Sequence, residues 1–176
     1  MMVLPKVEIR KILYATDLSE SAHYALAYAV SLAERYGAGL TILHVLAENP
    51  DFESRIVAFY PEEKWKEIKD KKKEDAREAL IGKKRENVDL REILKKMSDD
   101  FKTEMNSPGV VTDEILIEAG NPVAQILKQS EERRCDLIVM GSHGTGTLAD
   151  AMMGSTAQKV LRRSKKPVLV VRLPGR

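Results

Sequence analysis

Leu137-Ile138-Val139-Met140-Gly141-Ser142-His143-Gly144 is the stretch from which the fold can be read. Four apolar residues run straight into a turn punctuated by Gly141 and Gly144, with Gly146 and Gly154 further on. Ser155-Thr156 then opens a helical pattern. A buried strand that ends in such a turn and continues into a helix is a common way to hold phosphate. Glycines let backbone N–H groups approach an anion closely, and a helix N-terminus offers unpaired donors and a partial positive charge.

Outward from that stretch the chain alternates. Lys11–Ala15 is expected to be strand 1, ending at Thr16-Asp17, with Ser19 or Ser21 as N-cap of the next element. Ala22–Tyr36 carries Ala22, Leu26, Ala29 and Ala33 at helical spacing, with Ala25, Leu32 and Tyr36 alongside, and Gly37-Ala38-Gly39 ends it. Leu40–Leu46 reads as strand 2 and Val110–Glu118 as strand 3. Gly120-Asn121-Pro122 leads into a helix with Asn121 at the N-cap and Val123, Ile126 and Leu127 inward. Leu137–Met140 is strand 4, Ala157–Arg163 the last helix with Val160 and Leu161 inward, and Val168–Val171 strand 5. Five strands alternating with helices imply a parallel sheet covered on both faces.

Residues 50–108 interrupt this rhythm. Phe52, Ile56, Val57, Phe59 and Tyr60 form an aromatic segment between Pro50 and Pro61. Residues 61–105 then carry 14 basic and 13 acidic side chains, as a solvated helical face would. Leu90, Ile93, Leu94, Met97 and Phe101 supply a core-facing stripe, with a weaker one over Trp65, Ile68, Ala76, Ala79 and Leu80. Gly82 and Glu86-Asn87 are expected to divide two helices.

Composition bounds the answer. A chain of 176 residues fits one domain, residues 1–176, with an extended helical insert at about 50–108. A net charge of +2 gives no electrostatic case for nucleic acid or an anionic membrane. Cys135 is the only cysteine, read as a small core residue, and points to a reducing compartment. The N-terminus lacks the apolar core of roughly 7–15 residues found in a signal peptide. No run approaches the ~18 apolar residues of a spanning helix. A cytoplasmic protein is expected.

Several catalytic signatures are missing. There is no Walker loop, no lysine between Gly141 and Gly154, no G-x-G-x-x-G near strand 1 and no G-x-S-x-G. His23, His44 and His143 are scattered, and no cysteine pair suggests zinc. His143 alone sits in the glycine turn, either as an exposed loop residue or as a contact for phosphate or metal.

Gly141-x2-Gly144-x9-Gly154-Ser155 resembles the G-x2-G-x9-G-[ST] pattern of the universal stress protein family, in its ATP-binding branch. Ile12-Leu13-Tyr14-Ala15-Thr16-Asp17, Leu43-His44-Val45, Gly120-Asn121-Pro122 and the final Pro-Val-Leu-Val-Val strand are similar to that family too. The likeness covers residues 10–49 and 110–173 but not 50–108. It implies a doubly wound, Rossmann-like sheet of the adenine-nucleotide hydrolase-like fold, in the order 3-2-1-4-5. Strands 1 and 4 then flank the switch point where ligands bind.

By the same resemblance the ligand is ATP with Mg2+ or Mn2+. The backbone at Val45 would meet the adenine, and Asp17 would hold the ribose or the metal. Gly141, Ser142, His143 and Gly144 would wrap the phosphates. Gly154, Ser155 and Thr156 would cap their far end, and Ala15, Thr16 and Met140 complete the set. Structural alternatives stand beside these roles: Asp17 as a cap for helix 1, Gly154 as a turn glycine, Ser155 as an N-cap, and a Val45 side chain in the core.

The family implies an ATP-binding regulatory protein of stress response with a further protein partner. Two rival readings are an adenine-nucleotide enzyme of the same fold and a dimeric stress protein without nucleotide. The enzymes carry a Ser-Gly-Gly-x-Asp-Ser loop after strand 1, where this chain has Ala15-Thr16-Asp17-Leu18-Ser19-Glu20. The turn has no arginine, and Asp150 is the only nearby candidate to orient water, so little or no turnover is expected. Strand 3 is guarded by Asp113, Glu114 and Glu118. Val168 to Val171 carry no charge, so a homodimer through strand 5 is expected. Residues 50–62, following strand 2, are expected to form a flap over the nucleotide mouth or to anchor the insert to the core.

Overall fold

The computed structural model describes residues 6–46, 82–144 and 153–174. The flap expected at 50–62, the weaker helical stripe before Ile81, Gly146 and Asp150 lie outside the described residues. In chain order the elements are β1 Lys11–Thr16, α1 Glu20–Tyr36, β2 Gly39–Leu46, α2 Gly82–Glu104, β3 Thr112–Ala119, α3 Pro122–Glu132, β4 Leu137–Gly141, α4 Ser155–Arg163 and β5 Val168–Val171.

The strands form one sheet in the order β3-β2-β1-β4-β5. Every adjacent pair is parallel. Side chains alternate across it. Ile12, Tyr14, Leu40, Ile42, Leu137 and Val139 pack in one apolar cluster, with α1 and α2. Leu13, Ala15, Leu43, Ile138 and Met140 pack in the other, with Val123 and Ile126 of α3 and Ala157 and Val160 of α4. Both faces are therefore covered, as a parallel sheet requires. Each fully buried Leu, Ile or Val contributes about 1.5–3 kcal/mol relative to an exposed one.

Local chemistry sets the helix ends. Ser19, extended, accepts the Ala22 N–H on its Oγ and is the N-cap of α1. Gly37 closes the helix in the left-handed region at φ 61°, and Ala38 N–H reaches the Ala33 carbonyl at 2.8 Å. A residue with a Cβ is strained in that conformation. Asn121 caps α3 through Ala124 N–H, and Pro122 occupies the first helical position.

Three expectations are corrected. α2 runs unbroken through Glu86-Asn87, because Glu86 is a good helix former, and the buried stripe of Leu90, Ile93, Leu94 and Met97 holds the helix to the sheet against the weaker Asn87. Leu161 is 42% exposed, since α4 turns Ala157 and Val160 to the core and Leu161 falls off that stripe. Tyr36, in the last turn of α1, is likewise half exposed.

Tyr14 is fully buried in β1 and donates to the Ala22 carbonyl at 2.7 Å. Burial pushes its phenol far above the ordinary value of 10.0. The neutral form is thus favoured in the folded chain, and stability present below pH 10 is lost as pH rises toward the folded value. Tyr14→Phe should cost ~1 kcal/mol at neutral pH. It should also flatten the loss of stability above pH 10, measured as urea midpoints against pH. An equally steep alkaline fall in the variant would contradict this account.

Candidate functional site

The carboxyl ends of β1, β2 and β4 meet at one place. Ala15 is in register with Met140 on one side and Leu43 on the other, and Thr16 with His44. Ala15, Thr16, Met140, Gly141 and Val45 therefore lie at the same end of the sheet, where the connection out of β1 runs toward β2 and that out of β4 runs the opposite way toward β5. The side chain of Val45 packs partly against the α3–α4 core, which leaves its main chain as the group that could meet a ligand.

The turn after β1 is held tightly. Leu18 is in the left-handed region at φ 62°, which costs a non-glycine residue on the order of 1–3 kcal/mol. Its side chain is buried, and its N–H donates to Thr16 Oγ1 at 3.1 Å. Ser19 N–H donates to Asp17 Oδ1 at 3.0 Å. Asp17 thus shapes the loop ahead of α1, while Ser19 caps the helix. His44 Nδ1 lies 2.9 Å from the Thr16 carbonyl. A carbonyl only accepts, so that nitrogen carries the proton.

The glycine turn meets this loop face to face. A Cβ on Gly141 would lie 2.7 Å from Ala22 N and from the Ser21 carbonyl carbon. Glycine here lets the start of α1 sit on the end of β4. A Cβ on Gly144 would lie 2.7 Å from Asp17 Oδ2, so the carboxylate and the glycine turn are in direct apposition. Ser19 Oγ donates to the His143 carbonyl at 3.3 Å, and His143 N–H to Ser21 Oγ at 3.4 Å. Ser19 and Ser21 are tie residues that the sequence suggested only as caps. Their signal was hydroxyls facing a glycine across the switch point.

The turn divides its backbone donors into two sets. Ser142 N–H is bonded to the Val171 carbonyl and Gly154 N–H to the Ser142 carbonyl, both at 2.8 Å. These two hold the turn together. Gly154 is the N-cap of α4 and gives it no side-chain hydrogen bond; Ser155 is already the first helical residue, which corrects its reading as a cap. The N–H groups of Ser155, Thr156 and Ala157 accordingly have no intrahelical acceptor, and they carry the positive end of the helix dipole. Ser142 Oγ is 2.8 Å from His143 Nδ1. His143 Nε2 is buried without a hydrogen-bond partner among the described residues.

No group of three or more His, Cys, Asp or Glu side chains that could hold a metal occurs among the described residues. Among the described residues Asp17 would then be the single carboxylate ligand, with other oxygens coming from a phosphate and water. Cys135 is fully buried, and burial pushes its thiol up to about 11, so it stays protonated and inert.

Fold and site together define a doubly wound α/β protein with a glycine turn, an uncapped helix N-terminus and an aspartate across the switch point. The sequence pattern of the universal stress protein family matches residues 8–172. The chain belongs to the universal stress protein family. It is 31% identical to universal stress protein MJ0577 of Methanocaldococcus jannaschii, covering 94% of this chain and 96% of that one. A structure published as an assignment of the biochemical function of MJ0577 superimposes with a TM-score of 0.64, at 29% identity over 97% of this chain and 100% of that one. A universal stress protein solved in complex with cAMP shares the fold, with a TM-score of 0.57 at 23% identity over 94% of this chain and 98% of that one.

The contact between Asp17 and Gly144 predicts a coupled pair. Gly144→Ala should destabilise the chain by ~1–3 kcal/mol through crowding. Asp17→Ala should recover most of that loss in the double variant, a non-additivity read from thermal melts of the four proteins. Simple additivity would mean the two residues do not touch.

Proposed function

We propose that this chain is an ATP-binding regulatory protein of the stress response, with Mg2+ or Mn2+ accompanying the nucleotide and little or no turnover. The observation that carries it is the uncapped start of α4 at Ser155-Thr156-Ala157, set against Gly144 and Asp17. Three N–H groups without an intrahelical acceptor, on a helix dipole, suit a phosphate chain. Asp17 would hold the metal or the ribose, and the main chain at Val45 the adenine. The N–H groups of Ser155 and Thr156, with His143 and Gly144, would take the phosphates. Ala15, Thr16, Met140, Gly141 and Ser142 would form the floor. The metal supplies charge balance to a site that has no lysine between Gly141 and Gly154.

The complex of a fold relative with cAMP supports an adenine nucleotide in this architecture. No helix among the described residues is long and apolar enough to cross a membrane. That accords with the cytoplasmic role we propose, in which nucleotide occupancy biases an interaction with another protein.

If ATP binds only the folded chain, a hundredfold excess over its dissociation constant adds ~2.7 kcal/mol. The melting temperature should rise by roughly 5–11 °C. Gly144→Val should abolish the rise, because a branched side chain blocks the turn. Magnesium-ATP that leaves the wild-type melting temperature unmoved would sink the assignment. Rapid metal-dependent phosphate release that disappears in Asp150→Ala would instead favour the enzyme reading.

The open edge of β5, Val168–Val171, is uncharged, and we propose that it joins two copies into a homodimer. Light scattering at micromolar concentration should give twice the mass of the chain; a monomer mass would refute the pairing.

A further inference from the structure

Charged residues make up 32% of the chain, yet between Glu20 and Glu34 helix α1 carries no Asp, Glu, Lys or Arg. Ala22, Ala25, Leu26, Ala29, Val30 and Ala33 are its buried apolar residues. The rest of that span would be polar and charged if water were its permanent neighbour. Instead it includes Tyr24, Tyr28 and Leu32. Tyr28 is 44% exposed, and its ring stands edge-on to that of Tyr24 with centroids 5.7 Å apart. Tyr24 and Leu32 are half-buried. A helix that is apolar on nearly all sides is ordinarily covered.

Contacts on the two flanks of α1 fix which way this face looks. On one flank His23 meets Phe101 of α2, with ring centroids 4.5 Å apart, and Ser107, just beyond α2, donates to the Glu34 carboxylate. On the other flank Ser21 Oγ donates to the Val171 carbonyl of β5 at 3.4 Å. Tyr28 and Leu32 stand seven and eleven residues after Ser21, within about 20° of the same line along the helix. They look toward the open edge of β5 and away from α2. α1 runs back from the carboxyl end of the sheet, so Tyr24 and Tyr28 lie about 4.5 and 10.5 Å along it from Ser21. The four residues of β5 span about 10–13 Å. The tyrosine pair thus runs alongside the strand, while Tyr36, about 22 Å from Ser21, lies past it.

We propose that Tyr24, Tyr28 and Leu32 form the helix half of a contact between two copies of this chain, the α1 of each packing against the α1 of the other. This contact rests on the β5 pairing proposed above and adds side chains to its backbone ladder. Two β5 edges paired antiparallel about a twofold axis normal to the sheet make one continuous sheet. Both copies of α1 then lie on the same face of it, antiparallel to each other, and present the same residues to the axis. α1 packs chiefly on β4, so the two helices sit three strand spacings apart, ~14 Å. Closely packed helices approach to about 8–10 Å. The difference leaves a slot that alanine does not fill and that tyrosine and leucine do. α1 has alanine where it meets its own sheet and its large side chains where this slot opens. Leu169, the β5 residue packed on the same face, forms the floor. A peptide strand added at β5 would bring no helix to this face; a second copy brings one with matching side chains.

Cysteine crosslinking of the whole protein tests this contact. Cys135 is the only cysteine of the sequence and is fully buried, so Tyr28→Cys supplies the one accessible thiol. A short bis-maleimide should join two copies of Tyr28→Cys at micromolar concentration and give a covalent dimer on a denaturing gel, while Tyr36→Cys gives little. Independently, Tyr28→Glu, at an exposed position, should raise the dimer dissociation constant at least about tenfold in sedimentation, and Tyr36→Glu should leave it within about twofold. A wild-type chain of monomer mass overturns both the edge pairing and the helix contact. A wild-type dimer that yields no crosslink at position 28, or that Tyr28→Glu leaves intact, overturns the helix contact alone and leaves the pairing through β5 standing. Equal weakening by Tyr36→Glu also overturns it, because the effect would then not follow the position of the side chain along β5.

Discussion

The constraint on which the switch point depends is the close crossing of α1 over the end of β4. Gly141 leaves no room for a Cβ because the backbone of Ser21 and Ala22 is already there. That approach places the first turn of α1 directly on the glycine turn. It lets Ser19 and Ser21 reach the main chain of His143, and Ser21 Oγ the Val171 carbonyl at 3.4 Å. β1, β4 and β5 are thereby fastened at their carboxyl ends by two small hydroxyls. A larger residue at position 141 would lift α1 from the sheet, and Leu18 would lose the buried seat that holds its backbone in the left-handed region. The candidate site is thus a by-product of packing as much as of ligand chemistry. The same glycine that leaves a phosphate turn open is required by the helix behind it.

Much of this was legible in the sequence, for identifiable reasons. The strand order, read from the family resemblance, and the parallel pairing hold. Sheet strands buried on both faces are continuous apolar runs, as in Leu137–Met140 and Val168–Val171, and the turns carry glycine where the chain needs it. The stripe from Leu90 to Met97 was visible because helical spacing and burial coincide. Legibility failed where two weak signals competed. Glu86-Asn87 looked like a break because Asn87 is a weak helix former, yet Glu86 is a good one and packing further along holds the helix together. Leu161 looked inward because it is leucine, yet α4 has a narrow buried stripe, and its neighbour Val160 fills it. At the switch point Asp17 and Gly144 were legible as residues of two strand ends, but their apposition was not. A sequence gives the residues at the two ends of a switch point and not which atoms face each other.

Charge is spread unevenly along the chain. A net value is a sum over the whole chain, and a sum of +2 is compatible with both a mixed surface and a divided one. Counting by segment separates the two. Before the last helix Lys6, Arg10, Lys11, Lys102, Lys128 and Arg133 pair with nearby carboxylates. Those pairs are mostly exposed, so each adds little stability, and their main effect is to quiet the local field. No ion pair to Lys159, Arg162, Arg163, Lys165 or Lys166 occurs among the described residues.

α4 therefore has two dissimilar ends. Its first turn is uncapped and offers N–H groups toward Gly144 and Asp17. Its last turn and the following loop offer guanidinium and ammonium groups on long side chains. The two ends attract anions by different physics. Backbone donors are fixed, directional and specific for a small group that can enter the turn. Long side chains are mobile, and they take an acidic surface with less geometric demand but strong dependence on salt. A nine-residue helix is about 13 Å long, so the two ends are separated by more than a Debye length at 0.15 M salt. Screening then keeps a phosphate chain at one end from cancelling the field at the other.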